Sequence, residues 1–467
     1  MKNSIQFPRI LRSILFSGLC LFFFSQEIAS QNALRISATD YGAIAGDKHD
    51  DTQAIQRAIN FASEKGTTRY PAAVLIPSGK FRISKPLEWK PRVHIRLADD
   101  AVIIATKAMP AMLQSNVGNN KTRLRWQRLS GGIWDANDKA KDGFRLREFA
   151  HVTLDNLRIL DVKGKYINAD GEGSIKTNYE LFVHDVEMRR TRPIEDNKSV
   201  GIFTGVNRAG LSDCHFDNII IQGVRDGVVG GYYVCKISKV HVWSFGPKQG
   251  VLRHGFYIKG RNNQLYGNQV DNHSGYAFAF TDGKNVLTAN AISRSKTKWL
   301  PDNIGAAVYI KGPQEIIVTN NIWNVRSEAN RLAAEFEGDL RGLRAENNVV
   351  RNPEYIVRYF GDYGPGKTEA SIDFSPGKPD GKDLVNSEVN VSRVRRKGEG
   401  VYSIDFKRPI SNERYTVALD YFSELPNQPI LPVFREKKTT GLGISFVDLN
   451  GKNVVPRRVS IKMLGGN

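Results

Sequence analysis

Between residues 155 and 349 the chain repeats a short pattern, a polar pair followed by an aliphatic residue. It recurs as Asp155-Asn156-Leu157, His184-Asp185-Val186, Asp217-Asn218-Ile219, Ser238-Lys239-Val240, Asn268-Gln269-Val270, Asn290-Ala291-Ile292, Asn320-Asn321-Ile322 and Asn347-Asn348-Val349. The aliphatic positions are 29, 33, 21, 30, 22, 30 and 27 residues apart. Strand-like segments recurring at such a period predict a solenoid, because each coil can bury its apolar side only against its neighbours. The expected fold class is therefore all-β, a parallel β-helix extending to about residue 365. The column Asn268, Asn290, Asn320 and Asn347 is expected at a turn, where stacked amides form a ladder along the axis. Coils longer than the 21- and 22-residue ones carry their extra residues in loops, where a binding groove would be built.

A second strand recurs in each coil. Asp226–Gly230, His254–Gly260, Tyr276–Thr281, Ala307–Gly312, Ala334–Gly338 and Val357–Gly361 align. Strand alternation sends Phe256, Ile258, Val308, Ile310 and Phe336 inward. It sends Tyr257, Lys259, Tyr309, Lys311, Glu335 and Glu337 outward on one face, stacked at the coil spacing of about 4.8 Å.

The two ends follow other patterns. Lys2, Arg9 and Arg12 precede an apolar run from Ile14 to Phe24, with Ala29 and Ser30 offering a cleavage point. Residues 1–30 thus read as a removable export signal, which predicts a secreted protein, extracellular or periplasmic, with no membrane span. Asp50 or Asp51 is placed to cap a helix whose inner face carries Ile55, Ala58, Ile59 and Ala62, with Gly66 at its stop. That helix suits the open end of a solenoid. Residues 366–383, with Gly366, Pro376, Gly377, Pro379 and Gly381, read as a linker. Alternating segments at 402–406, 415–419 and 459–463 predict a small all-β module over 384–467.

The segments "DYGAIAGDKHDDTQAIQRAI" and "VLIPSGKFRI" resemble the N-terminal entry of the pectate-lyase-like superfamily of right-handed parallel β-helix proteins. The resemblance covers about residues 36–105, and the coil pattern extends it to about 365. It implies a right-handed β-helix over 31–365 behind an N-terminal capping helix. It leaves the reaction open, since the superfamily includes polysaccharide lyases, polygalacturonase-like glycosidases, epimerase-like proteins and tailspikes. The C-terminal module resembles the β-sandwiches appended to secreted glycan enzymes and tail-fibre proteins. The tailspike likeness makes monomer and homotrimer the candidate assembly states.

Charge narrows the partner. The chain carries +19, and removal of residues 1–30 would leave +17. Such a surplus attracts polyanions. For an exported protein that means an acidic polysaccharide, built of uronates or sulfated sugars, and not nucleic acid.

Two chemistries compete on the outward face, and a non-catalytic glycan-binding or tailspike-like protein is the third reading. Elimination from a uronate needs a base for the C5 proton and cations for the charge growing on the carboxylate. Lys259, His254 and Tyr257 are the candidate bases; Arg225, Arg253, Arg261 and Lys311 are the candidate cations, with Tyr309 as a flat surface for a sugar ring. Hydrolysis needs two carboxyl groups. Glu335 and Glu337, roughly 6.5–7 Å apart along the strand, suit an inverting pair, and Asp170 with Glu172 form a weaker second pair. "RHGFYIKG" resembles the His-Gly segment of polygalacturonase-like enzymes, but their Asn-Thr-Asp, paired-Asp and Arg-Ile-Lys motifs are absent. The signature segments of pectate lyases and alginate epimerases are absent too. Calcium, used by some β-helix lyases, is the one cofactor the resemblance allows; no zinc-ligand spacing or dense acidic cluster occurs. Cys214 and Cys235, expected to stack in consecutive coils, form either a disulfide or two packed thiols.

Overall fold

The computed structural model describes residues 34–115, 123–170, 178–205, 210–244, 246, 251–294, 307–311 and 316–325. Beyond these it describes strands between Leu332 and Leu464 with a few adjoining turn residues. Residues 1–30, the expected export signal, lie outside them. The chain forms a right-handed parallel β-helix. Successive coils pair in parallel from Arg35–Ser37 through Ile356–Phe360. Each coil contributes a long, bent strand to one sheet and a shorter strand to a second sheet facing it, as with Phe149–Leu160 and Lys165–Asn168. The interior between them is one apolar core running the length of the coils.

The helix Thr52–Lys65 closes the N-terminal end. Its buried face is Ala54, Ile55, Ala58, Ile59 and Ala62, as the spacing requires. Both expected capping acids are engaged, on different partners. The Asp50 carboxylate accepts the Thr52 N–H at 3.1 Å. Asp51 instead accepts the N–H groups of Ile44 and Arg82, fastening the helix to the first coils.

The bend within the long strand explains the repeated motif and corrects its register. Gly131, Asn156, Asp185, Asn218, Lys239, Gly267, Ala289 and Asn320 all have left-handed φ, between 50° and 81°. The next residue points inward. In the earlier coils that slot holds Leu157, Val186, Ile219 and Val240; in the later ones it holds Asn268, Asn290 and Asn321. Ser238 lies opposite Tyr266, and Ala291 opposite Ile322. Val240 therefore aligns with Asn268, not with Val270, and the ladder uses Asn321 where Asn320 was expected. Asn347 lies outside the described residues.

Aliphatic and amide side chains share one slot because each amide finds partners along the axis. Val240 donates its N–H to Asn268 Oδ1 at 3.0 Å. Asn268 donates both its N–H and Nδ2 to Asn290 Oδ1, each at 2.9 Å. Asn290 does the same to Asn321 Oδ1, at 2.9 and 3.0 Å. Replacing Asn290 with leucine, which suits the slot in earlier coils, strands two buried donors of Asn268. The expected cost is at least about 2 kcal/mol, read as a lower urea midpoint with an unchanged slope.

The cysteines belong to the same logic. Cys214 and Cys235 stack in consecutive coils, both fully buried and unbonded. Their slot continues as Asn263 and Asn285. Cys214 Sγ accepts the Leu181 N–H at 3.4 Å, and Asn263 Oδ1 accepts the Cys235 N–H at 3.0 Å. Burial pushes the Cys214 thiol well up, with Cys235 adding to the effect. Of the two sequence alternatives, the packed thiols are the ones present.

Two four-stranded antiparallel sheets follow the solenoid. The strand Thr368–Ser375 belongs to the first of them, pairing with Leu384–Val389 and Arg458–Leu464. This corrects the expected linker 366–383, whose first half contributes a strand; residues 376–383 lie outside the described set. Tyr402, Ile404, Leu442, Ile444 and Phe446 bury the inner face of the second sheet. No helix among the described residues is long and apolar enough to cross a membrane.

Candidate active site

The strand His254–Lys259 alternates as the sequence predicts. From Phe256 onward, Phe256 and Ile258 are fully buried while Tyr257 and Lys259 are half-buried on the outer face; His254, also half-buried, stands before the alternation begins. Phe256 stacks on Phe278 of the next coil with ring centres 4.8 Å apart. Gly255 is fixed by packing: a Cβ there would lie 2.6 Å from both the Ala277 carbonyl oxygen and a Val270 methyl. Gly227, one coil below, meets Val242 in the same way, at 2.8 Å. The glycine of His-Gly is thus a requirement of the coil, and the pair is no longer a sign of chemistry by itself.

A charge cluster flanks that strand. Asp226 lies opposite His254 in register and is 1% exposed. Its carboxylate accepts Arg253 Nε and Nη2 and Arg225 Nε, all at 2.9 Å. Two guanidinium groups on one buried carboxylate leave a net positive charge held in fixed geometry. Both arginines keep part of their side chains in solvent, 48% for Arg253 and 35% for Arg225. Neither is a loose surface cation, as sequence alone would have it.

His254 is stacked on Tyr276, with ring centres 5.4 Å apart and planes 13° from parallel, and lies tilted against Tyr257. Its Nδ1 accepts the Tyr276 N–H at 3.0 Å. Burial pushes the imidazole down to about 4; Asp226 opposes this, and Arg253 and Arg225 reinforce it. The ring is therefore neutral near neutral pH. With Nδ1 accepting, its proton sits on Nε2, which is then a donor.

Other predicted residues fall elsewhere. Tyr309 points to the outer face but is only 8% exposed, because it stacks on Tyr276 at 4.5 Å. It offers no open surface to a sugar ring in this structure. Arg261 and Lys311 are exposed. Glu335 and Glu337 lie on the strand Leu332–Glu337, in register with Tyr309 and Lys311. Their side chains, and all of Glu172, lie outside the described residues. In the column Tyr257, Ala279, Tyr309, Glu335 the two candidate chemistries stand three coils apart, roughly 14 Å at the usual spacing. The two candidate sets are therefore separate. Sequence reasoning missed Asp226 and Tyr276 as members of the first. The faint signal was the Arg-Asp-Gly and Arg-His-Gly echo one coil apart.

Lower on the same face, Lys165 Nζ lies 3.4 Å above the Phe203 ring, and Arg145 is paired with Asp142 at 2.8 Å. A groove of about 430 Å³ lies instead at the left-handed bend, lined in part by Asp99, Asn156, Arg158, Asp185, Glu187 and Asn218. Its polar groups bond one another, as Asn218 Nδ2 does to Asp185 Oδ1 at 2.6 Å and Arg158 to Glu187 at 2.9 Å. Among the described residues no group of three or more His, Cys, Asp or Glu side chains is placed to hold a metal ion.

The sequence pattern of the family described as rhamnogalacturonase A/epimerase, pectate lyase-like, matches residues 35–329, and the chain belongs to that family. An iota-carrageenase of Alteromonas macleodii is 30% identical over 132 residues, 27% of this chain and 26% of that protein. The chain thus matches about a quarter of the length of this curated relative. The surface protein and adhesin PfbA of Streptococcus pneumoniae superposes with a TM-score of 0.49 at 16% identity, over 70% of this chain and 100% of PfbA. A hyperthermoactive exopolygalacturonase from Thermotoga maritima gives a TM-score of 0.42 at 11% identity, over 68% and 85% of the two chains.

Proposed function

We propose that this protein is an exported enzyme that cleaves an anionic polysaccharide on the outer face of the second sheet, by β-elimination at a uronate. The observation that carries the reading is the strand His254–Lys259. It sets Tyr257 against His254 at the end of the strand where the guanidiniums of Arg225 and Arg253 are paired, with Lys259 outward at the other end, in a chain of charge +19. Family membership supports a glycan as the partner.

In the proposed step, Lys259 or Tyr257 takes the C5 proton of the uronate. The C5–H electrons form the C4–C5 double bond, the C4–O4 bond breaks, and O4 leaves with the proton that the base has taken. With Tyr257 as base, Arg225 and Arg253, held in place by Asp226, oppose the charge that develops on the carboxylate; with Lys259 as base, Arg261 and Lys311 take that part. His254, neutral and with Nδ1 occupied, is assigned as a hydrogen-bond donor through Nε2 and not as the base.

A second reading is hydrolysis by Glu335 and Glu337. Their i,i+2 placement in register with Tyr309 and Lys311 supports it. One incubation tests both, with polygalacturonate, alginate and a sulfated galactan as substrates. Ultraviolet absorbance of the new double bond, rising in step with reducing ends, is the expected result. New reducing ends without it would overturn elimination in favour of the glutamates. No product from any polymer would overturn both.

A further inference from the structure

A row of rings climbs the outside of the other sheet, around the coil from the proposed active face. Trp126 lies over His151 with ring centres 3.5 Å apart; His151 meets Phe182 at 5.9 Å, and Phe182 meets His215 at 5.3 Å. The row spans four coils, roughly 14 Å along the axis. His151 is held in place by an ion pair with Glu180. Trp126 is 59% exposed, the most exposed of the large hydrophobic residues described.

The backbone makes the choice of side chain informative. Arg92, Trp126, His151, Glu180, Asp213, Val234 and Asn262 form a second column of left-handed bends, with φ between 56° and 66°. Glycine or asparagine would relieve such a bend, which costs a bulky residue about 1 kcal/mol. The fold thus imposes the bend, and the chain places an exposed indole and an imidazole on it. An exposed aromatic at a strained position contributes nothing to the core and marks a contact surface. Exposed Arg125 and Lys236 border the row, while Arg128 beside it is held by the Asp155 carboxylate.

We propose that this ladder is a second glycan-binding surface, which holds a stretch of anionic polysaccharide by ring stacking and flanking cations while cleavage proceeds elsewhere. It shares with the proposed function only the class of polymer. Flat apolar rings spaced along an axis match successive sugar faces, and the bordering cations match carboxylates or sulfates.

The test is retardation of the full chain in native gels containing polygalacturonate, a sulfated galactan or neutral dextran. Trp126→Asn removes the indole and suits the bend, so folding is preserved; an unchanged melting temperature verifies this. It is expected to weaken apparent affinity for an anionic polymer roughly tenfold, while Trp126→Phe keeps most of it. Unchanged retardation of Trp126→Asn would overturn the proposal. So would equal retardation by dextran, or tighter binding of double-stranded DNA than of either acidic glycan. Retardation is read whether or not the polymer is cleaved. A protein that binds through Trp126 without forming product therefore refutes the proposed function alone.

Discussion

Replacing Lys259 with alanine is expected to slow cleavage of a uronate polymer by about 10²–10⁴-fold, the range for loss of a positioned proton-transfer group. Lys259 ends the strand His254–Lys259 and is half-buried on its outer face, opposite Gly231 of the coil below. Its removal opens no cavity in the core, so stability should change by no more than about 0.5 kcal/mol. The kinetic split identifies the role. A base makes its contribution in the transition state, so kcat falls with KM little changed, and Lys259→Arg, whose guanidinium stays protonated and cannot accept the proton, fails to restore it. A residue that only holds the substrate carboxylate would raise KM instead, and the arginine would rescue it. Tyr257→Phe in parallel decides between the two candidate bases. If Lys259→Ala and Tyr257→Phe both retain activity while Glu335→Gln loses it, elimination is wrong and the site moves three coils along the face.

The sequence made the second strand legible and the bend of the first strand less so, for a physical reason. Along Phe256, Tyr257, Ile258 and Lys259 the inward and outward positions differ in chemistry, so alternation fixes the register. At the left-handed bend the inward slot accepts Val240 in one coil and Asn268 in the next, because an amide in a ladder is as well satisfied as an aliphatic group in a core. Matching polar pairs to the next aliphatic residue therefore slipped by two positions at Val270 and by one at Ile322. The candidate site divides in the same way. Direction along a strand is written in the sequence, which is why Tyr257 and Lys259 were found. Exposure is set by neighbours, which is why Tyr309 was placed outward without the Tyr276 ring that covers it. Asp226 was passed over because its partner Arg253 is 27 residues away and becomes a neighbour only when the coil closes.

Asp226→Leu should destabilise the protein by about 3 kcal/mol and abolish cleavage, and the two losses should be separable. Its slot does not require a carboxylate for packing, since the residue opposite it in the coil below is buried Val200. What leucine removes is the acceptor of three N–H groups, which leaves Arg225 and Arg253 crowded together without a counter-charge. Breaking a buried pair by removing one partner costs about 3–5 kcal/mol, and the partly solvated guanidiniums place this case at the low end. Replacing all three charges, as Arg225→Met, Asp226→Leu and Arg253→Met together, removes the stranded groups and should restore most of the melting temperature. Activity should not return with it, because the cations that oppose charge on the substrate carboxylate are gone. A triple variant that recovers both stability and cleavage would reduce the cluster to a structural staple. The positive charge for elimination would then have to come from Arg261 and Lys311.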